Sequence, residues 1–304
     1  LVMITESAVW TEGQCRRFTL DCENEIMRVY EVQLTAALSG LTVEQVLRRA
    51  LRLSKTQVKR AKFQPDGLLL DGVRVNSVQR VEAGQTLRVC LPEREESRVA
   101  AVPGPVEICF EDAWLAVLEK PADLPVHPGR GHYGDTLSNY VIWHYRQQGI
   151  SLVPRFVSRL DKGTSGLLIL AKGAECQDRL QKLLHTPAYQ RRYLAICQGA
   201  LPQAEGVITH PIGKRSGALN AYQVCDGGRT AETRFRVLER RGGYSLVALT
   251  LKTGRTHQIR VHLSAQGCPL VGDPLYGGGG VLNRPALHAS SIVLRHPFTQ
   301  QMLL

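Results

Sequence analysis

The sequence predicts an α+β protein in two parts: a small helix-and-hairpin unit, then a larger domain built on a mixed or antiparallel sheet. Three observations predict it. At 304 residues the chain has room for two domains of roughly 150 residues each. A polar, charged and Pro-rich stretch over 93–105, ending in Pro103-Gly104-Pro105, reads as a linker. Beyond it, short β-rich runs punctuated by Gly and Pro outnumber helical stretches. The expected boundaries are an N-terminal region over 1–92, the linker over 93–105 and the larger domain over 106–304.

Residues 1–40 carry no clean periodicity. From Leu41 on, Val43, Val46, Leu47, Ala50 and Leu51 recur at helical spacing, with Thr42 placed as N-cap. Ser54-Lys55-Thr56-Gln57 has the form of a capping box and predicts a second short helix, closed by Pro65-Asp66-Gly67. Leu68-Leu69-Leu70, then Asp71-Gly72, then Val73-Arg74-Val75 is a hairpin signal, and a further strand is expected over Thr86 to Leu91. Between Leu41 and Lys62 stand seven basic residues (Arg48, Arg49, Arg52, Lys55, Lys59, Arg60 and Lys62) against one acidic residue, Glu44. Lys55 and Lys59, four apart, share a helix face. Two short helices with a basic face backed by a hairpin resemble the alpha-L RNA-binding motif, here over about 41–92. That resemblance makes Lys55, Lys59 and Arg60 candidate RNA-binding residues, against the alternative of a solvated helix face.

In the larger domain, strands are expected at 106–110, 115–118, 166–171, 192–198, 233–238 and 244–251, and helices at 136–146, 176–184 and 256–265. The composition, 43% hydrophobic and 21% charged, is that of a folded globular chain and excludes a disordered, collagenous or coiled-coil protein. No apolar run approaches the length of about 20 residues needed to cross a membrane, and no secretory signal is visible. The chain opens on Leu1 without an initiator Met, as expected of a trimmed or incomplete N-terminus. The net charge of +11 favours a polyanionic partner, nucleic acid ahead of a membrane. Eight cysteines with no C-x-x-C pair are expected to be reduced, mostly buried small hydrophobes of a cytoplasmic protein. His257 and His262, five apart, do not have the spacing of metal ligands on one helix face.

The sharpest local string is Arg159-Leu160-Asp161-Lys162-Gly163-Thr164-Ser165-Gly166, feeding the apolar run Leu167 to Ala171. It places an acidic side chain in a tight, Gly-bounded loop ahead of a buried strand, where catalytic groups are often held. The local alternative is an Asp that only caps its turn. Neither a hydrolase elbow nor a phosphate-binding P-loop is present.

With its flanks, this string resembles the signature of the RluA-type RNA pseudouridine synthases, in which Arg-Leu-Asp precedes Thr-Ser-Gly and an apolar strand. The segment Leu118-Glu119-Lys120-Pro121-Ala122-Asp123-Leu124-Pro125-Val126-His127-Pro128 is similar to that family's Lys-Pro-Ala-Gly…His-Pro segment. Arg191-Arg192-Tyr193-Leu194-Ala195 corresponds to its Lys-x-Tyr-x-Ala, and the runs Thr253 to His262 and Gly272 to Gly277 match a third segment. Two positions depart from the pattern: Ser158, where many members have His, and Asp123, where Gly is usual. The chain ends at Leu304, where relatives usually continue briefly.

The resemblance implies the pseudouridine-synthase fold, a bent mixed sheet with flanking helices and a central cleft, and isomerisation of uridine in RNA to pseudouridine. Asp161 is then the carboxylate at the anomeric carbon, with Arg260 lying against it to keep it ionised and aimed. Tyr193 is to stack on the uracil and could serve in proton removal from C5. Arg159 is to fill the vacated stack when the base flips out. No metal and no cofactor are implied, and a monomer is expected. Large-subunit ribosomal RNA is the expected substrate, with transfer RNA as the alternative. The rival classes are a catalytically silent RNA-binding protein and a metal-dependent RNA hydrolase.

Overall fold

In the computed structural model the described residues are 4–10, 13–22, 25–51, 53–92, 97, 99–129, 131–184, 186–218 and 220–304, with side chains from Val29 on except at Pro92. Arg52 and the linker positions 93–96 and 98 lie outside them. The chain forms two compact units, 1–95 and 96–304.

The first unit runs β1 (Ile4–Trp10), β2 (Gly13–Cys22), β3 (Glu25–Gln33), α1 (Val43–Arg49), α2 (Lys55–Phe63), β4 (Leu68–Leu70), β5 (Val73–Arg74) and β6 (Thr86–Pro92). Both helices start where local hydrogen bonding dictates. Thr42 and Ser54 each accept from the amide three residues on, while Gln45 and Gln57 reach back to the cap amides at 2.9 and 2.8 Å. Val43, Val46 and Leu47 of α1 and Val58 and Ala61 of α2 pack on Leu68, Leu70, Leu87 and Val89 of the sheet. The sheet has six strands in the order β1-β2-β3-β6-β4-β5. Its first three strands occupy the stretch that shows no periodicity in sequence. Charged pairs such as Arg16-Arg17 interrupt the alternation there, and pairing with β6 through β3, Gln33 opposite Thr86, completes the sheet.

The second unit continues with β7 (Glu107–Glu111), β8 (Leu115–Lys120), α3 (Leu137–Gln147), β9 (Arg155–Phe156), β10 (Ser165–Ala171), α4 (Ala174–Leu183), β11 (Tyr189–Gln198), β12 (Glu205–Ile208), β13 (Ile212–Lys214) and β14 (Tyr222–Val224). It closes with β15 (Thr233–Arg241), β16 (Tyr244–Leu251), α5 (Gln258–Ala265), β17 (Leu287–Arg295) and β18 (Met302–Leu303). The main sheet runs β12-β15-β16-β11-β17-β10-β8-β7, with β18 on β17 and β9 on β10. It is mixed, because β10 pairs β17 in parallel while β8 and β11 are antiparallel to their neighbours.

The continuous apolar run of β10 has a simple cause: it is covered on both faces. Leu168 and Leu170 meet Leu137, Val141 and Tyr145 of α3, while Ile169 and Ala171 meet Cys176 and Leu180 of α4. At Gly166, φ is +114° and any Cβ would strike the backbone of Ala289, so only glycine lets β10 and β17 pair at the mouth of the site.

Two expectations need correction. The linker does not extend to 105: Asn139 Nδ2 donates to Ala100 O at 2.8 Å, the Val102 amide donates to Asn139 O, and Gly104 lies against the Tyr140 ring. The helix expected from Thr256 begins at Gln258, since His257 takes the left-handed conformation with φ 57° and cannot continue a helix backwards. The central strand β17 was not expected at all. Its alternation of Leu287 and Ala289 with Ile292 and Leu294 slips by one residue where a bulge shifts the register opposite Arg192 and Tyr193.

Candidate active site

Asp161 stands in the loop before β10, which is closed by the Thr164 amide donating to the Asp161 carbonyl at 3.0 Å. The turn is therefore made by backbone, leaving the carboxylate to other partners. Lys120, at the end of β8 and fully buried, secures this loop from below. Its Nζ donates to Pro121 O at 2.7 Å, Leu124 O at 2.9 Å and Lys162 O at 3.1 Å. Burial lowers its pKa to about 8, opposed by the charges of Asp123 and Asp161. Asp123 has φ 64°, the left-handed backbone that glycine adopts most easily.

The Asp161 side chain, 21% exposed, faces two groups of α5 and its cap, with Arg260 Nη1 3.5 Å and His257 Nε2 3.8 Å from Oδ2. Residues 257 and 260 are three apart and so reach the same side of the helix start. The short bonds of Arg260 go elsewhere. Its Nε and Nη2 form a fork on Asp273, at 2.7 Å to Oδ2 and 2.8 Å to Oδ1. Asp273 is fully buried and also accepts from the amides of Leu275 and Tyr276. Arg260 does lie against Asp161, as expected, but it is aimed by Asp273, a residue to which sequence reasoning assigned no role.

His257 is held by the same segment. The Tyr276 hydroxyl accepts from the Tyr222 amide at 3.0 Å and lies 2.9 Å from His257 Nδ1, with the two rings edge to face. Nε2 faces the Asp161 carboxylate, which can only accept, so the proton of the neutral ring is assigned to Nε2 and Nδ1 is left to accept from the Tyr276 hydroxyl. Burial lowers the His257 pKa, the Asp161 charge opposing, so the ring is a neutral donor. Gln258 fixes the helix start by accepting from Thr253 Oγ1 and the Arg255 amide and donating to Glu232 O and Thr233 Oγ1.

Tyr193, on β11 and 4% exposed, lines the same cavity as Asp161, Arg191, Arg255, His257 and Arg260; its volume is about 450 Å³. Burial raises the Tyr193 phenol above its ordinary pKa, with the Arg191 charge opposing, so it stays protonated near neutrality. Arg159 is exposed at the rim and makes no hydrogen bond or ion pair with the described residues. The structure thus brings Asp161, Tyr193, Arg260 and Arg159 to one cleft. Lys55, Lys59 and Arg60 belong to the other unit, where Lys55 and Lys59 are exposed on α2 and Arg60 is half-buried.

Among the described residues no group of three His, Cys, Asp or Glu side chains could hold a metal, and no helix is long and apolar enough to cross a membrane. The six cysteines with described side chains are free thiols, with Cys90, Cys176, Cys197 and Cys268 buried and Cys109 exposed.

A carboxylate flanked by two nitrogen donors, a buried tyrosine and a rim of arginines meet in one cleft. Residues 115–265 match the family described as RNA pseudouridylate synthase. The chain is 36% identical over 289 residues to an uncharacterised RNA pseudouridine synthase, YhcT, of Bacillus subtilis, covering 92% of this chain and 94% of that protein. It is 37% identical over 295 residues to ribosomal large subunit pseudouridine synthase D of Nitrosomonas europaea, covering 93% and 84% of the two chains. Among solved structures, human RNA pseudouridylate synthase domain containing 1 superposes with a TM-score of 0.53 at 26% identity, over 66% of this chain and 84% of that one. The chain belongs to the RluA-type family of RNA pseudouridine synthases, which are isomerases, and it has their fold.

Proposed function

We propose that this enzyme converts uridines of large-subunit ribosomal RNA to pseudouridine, with Asp161 acting at the anomeric carbon of the target nucleotide. The observation that carries the catalytic assignment is the Asp161 carboxylate in the wall of a base-sized cavity, with Arg260 and His257 both meeting Oδ2. In this reading Oδ1, which has no hydrogen bond with the described residues, faces the sugar. As the C1′–N1 bond breaks, positive charge grows on the sugar and negative charge on the departing uracil. An anionic oxygen stabilises the first, and the neighbouring guanidinium and imidazole donors stabilise the second. The base then turns within the cavity and C5 bonds to C1′, after which the C5 proton leaves to solvent and N1, freed of the sugar, takes up a proton, so that the product is an isomer of the substrate.

Tyr193 offers the detached uracil a flat wall. Because its phenol remains protonated, stacking suits it better than acting as a free phenolate base. Arg159, exposed and without a carboxylate partner among the described residues, can enter the space left in the RNA when the base is extruded, a step costing a few kcal/mol. The ribosomal substrate is supported by relatives named ribosomal large subunit pseudouridine synthase D at 37% and 35% identity. The exposed Lys55 and Lys59 of the first unit add phosphate contacts that place the RNA without taking part in the chemistry.

The test is tritium release from C5-labelled uridine in large-subunit RNA, with a pseudouridine map of total RNA made with and without the enzyme. Release that persists in EDTA supports the isomerase. Binding without release, or new label in transfer RNA alone, overturns the reading.

A further inference from the structure

Asp161 is part of the wall between two cavities. The first contains Tyr193. The second, about 550 Å³, shares Arg159, Leu160, Asp161, His257 and Arg260 with it but opens toward the loop 123–128 and the segment 283–285. The reading of Asp161 as the reactive group uses only the first, and nothing in the chemistry of one uridine requires the second.

The lining of the second cavity suits a nucleotide. His127 is exposed, yet its ring is fixed: Nδ1 lies 3.1 Å from Ser138 Oγ, and the ring meets Phe156 edge to face at 5.4 Å. Ser138 Oγ donates its own hydrogen to Val126 O at 2.7 Å and can only accept from His127. The imidazole therefore carries its proton on Nδ1 and presents Nε2 as a bare acceptor, suited to a base N–H or a ribose 2′-hydroxyl. Partial desolvation of the ring, whose Nδ1 side is packed against Ser138 and Phe156, and the Arg159 charge lower its pKa and keep it in that form. Pro125, Pro128, Pro274 and Pro285 supply stiff apolar walls. Two carboxylates, Asp123 and Asp161, also line the cavity, against the cations Arg159, Lys162 and Arg284. Among the described residues, Lys162 Nζ has one hydrogen-bond contact, with His132 Nε2 at 3.3 Å, and Arg284 one, to Pro285 O, and neither forms an ion pair, so both charges remain available to phosphate.

We propose that this cavity is a second nucleotide subsite, taking an immediate neighbour of the target uridine with its base unstacked against His127 and its phosphate at Lys162 and Arg284. Adjacent cavities with a common wall are the arrangement that two consecutive, splayed nucleotides require. The inference rests on the proposed function, since it takes the Tyr193 cavity to hold the target.

The experiment measures the affinity of the full-length protein for a fluorescein-labelled stem-loop of large-subunit RNA with its uridine in the loop. Two further RNAs carry an abasic site 5′ or 3′ of that uridine. Base stacking on a protein ring is worth enough that the wild type should bind one of the two abasic RNAs about tenfold or more weakly. His127→Ala should bind the intact RNA with the same loss and show no further penalty for that abasic site, whereas His127→Phe, which keeps a ring, should regain the sensitivity. Arg284→Gln should flatten log K against log salt by about 0.7, one single-strand phosphate contact. Indifference of the wild type to both abasic RNAs overturns the subsite. So does an abasic penalty of equal size in wild type and His127→Ala. Tritium release from the intact RNA is scored separately, so an inactive protein condemns the proposed function and an unchanged affinity pattern condemns the subsite.

Discussion

The cations of α2 and those around Asp161 are the same side-chain types in opposite surroundings. Lys55 and Lys59 stand in solvent on a helix whose other side is core, and either can be removed without unpairing anything buried. Arg260 and Lys120 are buried, and each is satisfied by named partners: Asp273 and Asp161 for the first, three carbonyls for the second. The contrast separates two uses of positive charge. An exposed cation is suited to screened, additive affinity for a polyanion, while a buried one is part of the architecture that holds the Asp161 loop and its surroundings.

Substitutions can break or sharpen that contrast, the largest effect lying at Asp161. Asp161→Asn is nearly isosteric, so RNA affinity should hold while turnover falls by about a thousandfold or more, a loss confined to the transition state. Single-turnover kinetics beside a binding titration will read both, and multiple turnover in pure Asp161→Asn would remove the catalytic assignment. Next come the partners. Arg260→Met strands the fully buried Asp273, and Asp273→Asn leaves Arg260 short of its fork, so each should cost stability as well as rate. Breaking a buried pair costs about 3–5 kcal/mol, which urea denaturation will detect. A variant of wild-type stability would place this pair with the solvated charges of α2 instead.

Lys120 gives a pH signature. Its folded pKa of about 8 lies below the 10.5 of the free side chain, so between those values the unfolded chain binds more protons than the native one. Stability contributed by this group is therefore lowest and constant below pH 8 and rises as the pH climbs from 8 toward 10.5. Unfolding of wild type and Lys120→Met at a series of pH values should differ in slope in that window, and parallel curves would contradict the assignment. The smallest effect belongs to α2. Lys55→Ala and Lys59→Ala should leave kcat and stability unchanged and each reduce the slope of log K against log salt by about 0.7–0.9. An unaltered slope would make that face a solvated one only.

Much of this was legible along the chain because its causes are local. Thr42 and Ser54 announce their helices through bonds that span three residues, and Asp71-Gly72 announces a hairpin in the same way. The loop carrying Asp161 reads as a site because a tight turn and a doubly covered strand leave marks in consecutive residues. The roles of Asp273, Tyr276 and His257 were not legible, although all three lie inside the strings that carry the family resemblance. Asp273 is 13 positions from the guanidinium it holds, and Arg260 is 99 positions from Asp161. No periodicity connects such positions.

By itself, then, the sequence determined the starts of α1 and α2, the basic face of α2, the loop that carries Asp161 and the family to which the chain belongs. Each of these depends on neighbouring residues or on ordered strings of them. Only the tertiary structure decided that Asp273 takes the strong bonds of Arg260, that Tyr276 pairs with Nδ1 of His257, and that β17 joins β10 in parallel across Gly166. It also decided that Asp161 borders two cavities. Hydrogen-bond geometry, burial and enclosed volume exist only once distant segments meet, and a linear pattern holds no record of them.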